Sequence, residues 1–238
     1  MQQHLRAFFG RWGLPAGVRV DNGGPWGSGG DWPTPLALWL LGLGLEVAWI
    51  PPRRPQANGV VERSQGTGKR WAEPRRCHSV EQLQRRLDEA DRLQREAYPY
   101  AGERARWDVY PGLAGSGRPY SLAWEEGHWD WPRVREHLAG YTASRRVDGR
   151  GRVCLYDHRH YVGTKYSGQA VWVGYDPDGQ EWVVQDRAGV YLTRLRAWCL
   201  TAQRVRGLQV TSPGDAPHAP PGATELSCPD SPTEVHVR

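Results

Sequence analysis

The chain has 238 residues, of which 39% are hydrophobic and 24% are charged, and its formal net charge is +5. This length allows one large domain or two small ones, and the basic balance favours a polyanionic partner. The sequence lacks an apolar run of about 18 residues, so no membrane span is predicted. Its first residues lack the small-residue cleavage site of a signal peptide. The four cysteines form no CxxC pair and predict free thiols in a reducing cytosol rather than a zinc site or a disulfide frame.

The first fifty residues predict two helices and two short strands. Apolar side chains recur at helical spacing near the start, whereas short apolar runs bounded by glycine and proline indicate buried strands. The predicted elements are a helix over 2–12, a strand over 18–20, a glycine-rich loop over 22–33, a helix over about 34–43 and a strand over 45–50. The first strand ends at Asp21, which therefore stands between a rigid element and a turn.

The next segment predicts two longer helices. Three prolines in PPRRPQ, residues 51–56, exclude a helix or a central strand there, because proline lacks a backbone donor and has a fixed φ. A helix is predicted from about residue 58 to about 72. A capping-box pattern, SVEQ, opens a further helix over 79–97. With the preceding elements, this segment makes up the first predicted domain, residues 1–97.

The rest of the chain predicts a connecting region, a small β domain and a tail. Residues 98–146 are rich in Trp, Tyr, Gly and Pro, and only a short helix over about 132–139 is predicted there. From residue 151 apolar residues recur at every second position, and five short strand candidates follow. This pattern predicts a small antiparallel barrel over 147–206. Residues 207–238 are rich in Pro, Ser, Gly and Thr and predict a disordered tail.

Two carboxylates stand out as candidate metal ligands. Asp21 follows a strand, and Glu62 lies in the first turns of a helix that comes after a rigid proline segment. Divalent cations such as Mg²⁺ prefer hard oxygen ligands on rigid elements, and two such ions can activate a hydroxyl and stabilise the leaving oxygen of a phosphodiester. The alternatives are an exposed turn aspartate and a glutamate that favours the helix dipole.

The chain around Glu62 is basic. Lys69 lies seven residues beyond Glu62, so both side chains project from one face of the predicted helix, where a DNA phosphate would lie. The candidate DNA-binding residues are Arg53, Arg54, Arg63, Lys69 and Arg70. Solvated surface charge is the alternative for each of them.

Both asparagines of the chain occur beside these carboxylates, and each precedes a glycine. The two turn motifs are Asn22-Gly23, directly after Asp21, and Asn58-Gly59, directly before the helix of Glu62. Asn-Gly pairs favour tight turns, which is sufficient by itself to explain their use.

The two stretches together resemble a known family. Strand-Asp-Asn-Gly followed by Pro-Gln-x-Asn-Gly-Val-Val-Glu is similar to the second and third acids of the DDE transposases and retroviral-type integrases, most closely those of bacterial insertion sequences. The resemblance covers about residues 5–97. It implies an α/β fold with a ribonuclease H-like core, a two-metal site of Mg²⁺ or Mn²⁺, and strand cleavage and transfer at element ends. It also implies that Asp21 and Glu62 are catalytic metal ligands and that the following β domain is an SH3-like barrel that contacts DNA.

The chain departs from the family pattern in one important respect. The family uses three acids, and no residue before Asp21 matches the first acid or the strands that carry it. The resemblance therefore implies an N-terminally truncated core, and the 238-residue chain is expected to be catalytically inactive on its own. The alternatives are a non-catalytic DNA-binding remnant and a decayed transposase gene product.

The resemblance also implies partners and a location. The expected partners are DNA, as element ends and target, and either further copies of the chain or an upstream fragment of the same transposase. The expected location is the cytoplasm of a bacterium, in association with the nucleoid.

Two histidines of the β region need a separate explanation. His158 and His160 lie two apart on one predicted strand and therefore share a face. Because no third ligand is near in sequence, they are predicted to be surface histidines rather than a metal site.

Overall fold

The computed structural model describes residues 1–27, 31–51, 53–54, 56, 59–207 and 233–237. The chain forms two compact units that alternate along the sequence. The first unit comprises Met1–Arg6, Gly17–Trp49 and Leu122–Arg238, and the second comprises Ala7–Ala16 and Ile50–Ser121. The linear domain boundaries at residues 97, 146 and 206 stay predictions.

The described residues form eight α-helices and eleven strands, which confirms a mixed α/β class. The helices are α1 Gln2–Trp12, α2 Pro35–Gly42, α3 Gly59–Ala72, α4 Val80–Glu96, α5 Arg106–Val109, α6 Leu122–His128, α7 Trp131–Ala139 and α8 Ala202–Arg206. The strands are β1 Gly17–Val20, β2 Glu46–Trp49, β3 Pro99–Ala101, β4 Arg104–Ala105, β5 Tyr141–Arg146, β6 Arg152–Leu155, β7 His158–Tyr161, β8 Ala170–Asp176, β9 Glu181–Gln185, β10 Tyr191–Arg196 and β11 Thr233–Val237.

Helix α2 forms the centre of the first unit. Thr34 caps it, because the Thr34 side chain accepts a hydrogen bond from the Ala37 amide, and Pro35 occupies the first turn, where its missing N–H costs nothing. Every residue from Leu36 to Gly42 is buried. A helix that is apolar on all sides is stable only inside a core, so α2 organises the packing of this unit.

A buried ion pair ties the ends of the first unit together. The guanidinium of Arg6 contacts both carboxylate oxygens of Glu125, at 2.6 Å and 3.0 Å, and Glu125 is 2% exposed. The indole Nε1 of Trp39 donates to the same carboxylate at 3.0 Å. This pair joins α1, α2 and α6, elements that are far apart in sequence.

The strand-rich part of the first unit is an open sheet and a separate hairpin. The five-stranded antiparallel sheet has the order β10-β9-β8-β5-β11, and β6 pairs with β7 alone. Within the described residues the strands do not close into a barrel, so the predicted closed barrel is not observed. Two strands of the five-stranded sheet lie outside the predicted β region: β5 in the connecting region, and β11 in a segment that was predicted to be disordered.

The second unit is built on the antiparallel contact of α3 with α4. Gln94, on α4, is buried, and its Oε1 accepts hydrogen bonds from the Ser64 hydroxyl and from Arg106 Nη1, both at 3.3 Å. Arg95 places its guanidinium 4.4 Å from the ring centre of Trp12. A buried amide and cation–π contacts therefore contribute to a core that contains few large aliphatic side chains.

The cysteines differ from the prediction at one position. Cys77 and Cys199 are free thiols, as predicted, but Cys154 is disulfide-bonded. Sequence spacing alone carries no signal for a bond to Cys154, because disulfide formation depends on proximity in the fold.

Among the described residues, no helix is both long enough and apolar enough to cross a membrane.

Candidate metal and nucleic-acid site

Asp21 lies at the end of a parallel strand pair. β1 and β2 pair in parallel, with Val18 opposite Val47 and Val20 opposite Trp49, so both strands end at the same edge. Asp21 follows Val20 directly, and its side chain is exposed. In open α/β sheets, ligands bind outside the carboxyl ends of the strands. Asp21 therefore lies at the carboxyl edge of this two-stranded parallel pair, and its role as a metal ligand stays a prediction.

The turn after Asp21 is held by specific hydrogen bonds. The amides of Trp26 and Gly27 both donate to the Gly23 carbonyl, at 2.8 Å and 3.0 Å. The Trp49 indole donates to the Trp26 carbonyl at 3.2 Å. A Cβ placed on Gly23 would lie 3.8 Å from Asp21 Oδ2, so the carboxylate lies directly over the Asn-Gly turn. The loop is thereby fixed to the end of β2.

The two predicted Asn-Gly turns have different outcomes. Asn22 is an exposed bend residue, and Gly23 opens the turn over residues 24–26 through its bridge to Gly27, so the turn begins one residue later than the motif predicts. Asn58 lies outside the described residues, and Gly59 is the first residue of α3. Gly59 of the second motif therefore begins the helix that carries Glu62.

Glu62 and Lys69 share the solvent face of α3. Ser64 and Ala72, which contact Gln94 and Arg86 of α4, are half-buried and buried, whereas Glu62 and Lys69 are exposed. Their separation of seven residues brings them to one face. The first turn of α3 carries Glu62, and its last turn carries Lys69 and Arg70.

All five candidate DNA-binding residues are exposed. Arg53, Arg54, Arg63, Lys69 and Arg70 form no ion pair with any carboxylate in the described part of the chain. Within the described ranges, a single side-chain hydrogen bond involves this set, from Arg70 Nη2 to Thr67 Oγ1 at 3.3 Å. Their positive charges therefore remain available to a polyanion.

Asp21 belongs to the first compact unit, and Glu62 belongs to the second. Among the described residues, no group of three or more His, Cys, Asp or Glu side chains forms a cluster that could hold a metal ion. Each carboxylate has the donor chemistry that Mg²⁺ prefers and is accessible. Their action on a shared metal pair stays a prediction.

The first unit contains a cavity of about 1100 Å³ that the sequence did not reveal. Five arginines and four aspartates line it: Arg145, Arg146, Arg152, Arg159, Arg187, Asp31, Asp148, Asp157 and Asp186. Arg145 contacts Asp31 at 2.6 Å, and both Arg152 and Arg159 contact Asp148, at 3.2 Å and 3.4 Å.

Two cationic side chains of this cavity remain uncompensated. Arg146 and Arg187 are exposed and form no ion pair within the described residues. Arg146 ends β5, in which only Tyr141 and Ala143 are apolar, so the sequence offers a much weaker period-two signal there than in β8.

His160 is buried, so the prediction of a surface position was wrong for it. Its ring Nε2 lies 3.4 Å from the Cys199 sulfur, and both side chains are about 5% exposed. Burial lowers the pKa of His160, and burial also raises the pKa of Cys199. The pair therefore stays neutral, and Cys199 lacks the thiolate character of a nucleophile. His158 is half-buried, and its Nε2 lies 3.1 Å from Arg204 Nη1.

No known protein-family model matches the sequence.

Proposed function

We propose that this chain acts in DNA integration or transposition, as part of a DDE-type integrase core that cleaves and joins phosphodiesters with divalent metal ions. The observation that carries the proposal is the placement of two carboxylates on rigid elements. Asp21 is exposed at the carboxyl end of a parallel strand pair, and Glu62 is exposed in the first turn of α3. The proposed fold of this part is a partial ribonuclease H-like core.

Asp21 and Glu62 are assigned as metal ligands in this proposal. Both side chains are accessible; Asp21 directly follows strand β1, and Glu62 lies within helix α3. A bound pair of Mg²⁺ or Mn²⁺ ions supplies an activated hydroxyl and stabilisation of the leaving oxygen. The chain's own contribution is to present the oxygens and to hold the turn after Asp21 in place through Gly23 and Trp49.

The basic residues of α3 and of the preceding segment are assigned to the DNA backbone. Lys69 projects from the same face as Glu62, and it has no carboxylate partner in the described part of the chain. A phosphate bound there would be held beside the metal-binding carboxylate. Contacts of this kind position the duplex and carry no sequence information.

The chain offers matches to two of the family's three acids. For this reason we expect the 238-residue chain to bind DNA and metal but not to carry out strand transfer on its own. Added copies of the chain do not change this expectation, since each copy offers the same two acids.

Duplex binding tests the proposal. Fluorescence anisotropy with a labelled duplex should show an affinity that falls linearly on a log–log scale with salt, and Lys69→Gln should weaken binding and reduce the slope by about 1. Mn²⁺ should strengthen duplex binding by the wild-type chain but not by Asp21→Asn or Glu62→Gln. Absence of any salt-dependent duplex binding would overturn the proposal.

The cavity of the first unit favours a second candidate, a DNA-binding protein without catalysis. Arg146 and Arg187 are exposed there without ion pairs in the described residues and could hold phosphates. In that case Arg146→Gln and Arg187→Gln weaken duplex binding, while Mn²⁺ has no effect that depends on Asp21 or Glu62. The metal response therefore separates the two functions.

A further inference from the structure

Three tyrosines form an exposed aromatic surface on the second unit. Tyr98, Tyr100 and Tyr110 are 54%, 50% and 50% exposed, which is high for large aromatic side chains. They lie around the hairpin of β3 and β4 and the short helix α5. We call this set, together with Arg106, the tyrosine platform.

The platform is held in place before any ligand binds. The Tyr100 and Tyr110 rings meet edge to face at 5.7 Å, and their hydroxyls are 3.5 Å apart. The Arg106 guanidinium lies 5.3 Å from the Tyr100 ring centre and donates from Nη1 to the buried Gln94 amide. The Tyr100 ring is thus oriented by its neighbours while half of its surface remains accessible.

The cations near the platform are not neutralised by carboxylates. Arg106 donates to a side-chain amide, and Arg104 Nη2 donates to the main-chain carbonyl of Asp108 at 2.6 Å. Neither guanidinium forms an ion pair within the described part of the chain. Aromatic rings beside uncompensated cations fit a ligand that is flat, apolar on its faces and negatively charged along its backbone.

The platform adjoins the basic end of α3. The Tyr98 ring packs edge to face on Trp71 at 5.2 Å, and Trp71 belongs to the turn of α3 that also carries Lys69 and Arg70. A nucleic-acid strand whose phosphates lie on these two side chains would continue onto the tyrosines.

We propose that the tyrosine platform binds unpaired bases of DNA by stacking, with Tyr100 as the principal ring. This inference rests on the proposed function, and it names a substrate feature beyond the duplex, namely a single-stranded or unstacked segment. Stacking on an aromatic ring tolerates any base, because every base presents a π-face. Arg106 contributes its charge and the orientation of the ring.

The test compares single-stranded and double-stranded DNA on the full chain. The probes are a labelled oligothymidine of about 12 nucleotides and a duplex of the same length. Tyr100→Ala should weaken binding to the oligothymidine about 5- to 150-fold and change duplex binding less than about twofold, whereas Tyr100→Phe, which keeps the ring, should bind like the wild type. Because stacking is not ionic, the loss should be the same at about 0.1 M and about 0.3 M salt.

Tyr191 provides a matched control. It is 55% exposed on β10 in the other unit, and Tyr191→Ala should leave oligothymidine binding unchanged. Equal affinity of Tyr100→Ala and wild type for the oligothymidine overturns the inference, and intact duplex binding in the same experiment leaves the proposed function standing. If free Tyr100→Ala sediments differently from the wild type while its affinity for the oligothymidine is unchanged, the platform is a protein interface. That result also overturns the inference.

Discussion

Removal of the Glu125 carboxylate should destabilise the first unit strongly. In Glu125→Ala, the Arg6 guanidinium loses two charge-assisted hydrogen bonds, of 2.6 Å and 3.0 Å, and the Trp39 indole N–H loses the acceptor at 3.0 Å. Trp39 is completely buried, so its indole N–H depends on an acceptor inside the fold. The substitution therefore removes the carboxylate that accepts from both the Arg6 guanidinium and the Trp39 indole.

The magnitude follows from the burial of each group. Breaking a buried pair on one side costs about 3–5 kcal/mol, and a buried unsatisfied donor costs about 1–3 kcal/mol. The Arg6 side chain is 24% exposed and also donates to the Arg206 carbonyl at 3.0 Å, so part of its charge is still solvated. We expect a loss of about 3–4 kcal/mol, which is a large share of the stability of a typical domain.

Urea unfolding followed by circular dichroism measures this loss. Glu126 is the matched control, because it is adjacent and exposed, and Glu126→Gln should change the free energy of unfolding by less than about 0.5 kcal/mol. Glu125→Gln retains an acceptor for Trp39 but loses the charge, so its cost should fall between the two. A loss below about 1 kcal/mol for Glu125→Ala would show that the pair does not hold the first unit together.

Three further predictions concern helix propensity, thiols and pH. A Cβ on Gly68 of α3 meets no atom within 4 Å, so Gly68→Ala should raise the free energy of unfolding by about 0.5–1 kcal/mol, and an unchanged urea midpoint would contradict this. Of the two free cysteines among the described residues, half-exposed Cys77 should react quickly with a thiol reagent in the native chain. Buried Cys199, whose pKa is raised by burial, should react only on unfolding, and equal rates would contradict this. Burial lowers the pKa of His137 and of His160 below the ordinary 6.5, so on acidification the unfolded chain takes up protons at a higher pH than the folded chain does. The stabilisation of the folded chain should therefore be complete above pH 6.5, and the free energy of unfolding should decrease as the pH falls below it. His137→Phe should flatten this dependence in unfolding curves, and an unchanged slope would contradict the assignment.

The sequence correctly predicted features that depend on interactions between residues close together in the chain. Ser79, at the predicted capping box, accepts the expected backbone hydrogen bond from Gln82, and Thr34, at the predicted start of the second helix, accepts one from Ala37. The aspartates that open the turns after β8 and β9, Asp176 and Asp186, likewise accept bonds from the following amides. The spacing of apolar residues and the capping hydrogen bonds both involve residues a few positions apart, so they can be recognised from the sequence before the fold is known.

Long-range features had no such signal. Glu125 is buried and paired, whereas the adjacent Glu126 is exposed, and only the position of Arg6 in the fold distinguishes them. The pairing of β5 with β8 depends on strands about thirty residues apart, and the open sheet that results was predicted as a barrel. The two carboxylates of the candidate site were found because each follows a recognisable local motif.

The central claim is that Asp21 and Glu62 bind the same metal ions. It is tested most directly by Mn²⁺ binding to the full chain, measured by electron paramagnetic resonance, in a double-mutant cycle. Asp21→Asn and Glu62→Gln should each weaken Mn²⁺ binding at least about tenfold, the double variant should be no weaker than the poorer single one, and exposed controls Asp178→Asn and Glu89→Gln should bind like the wild type. Single variants that bind Mn²⁺ as well as the controls do, or losses that simply add in the double variant, would contradict a shared site.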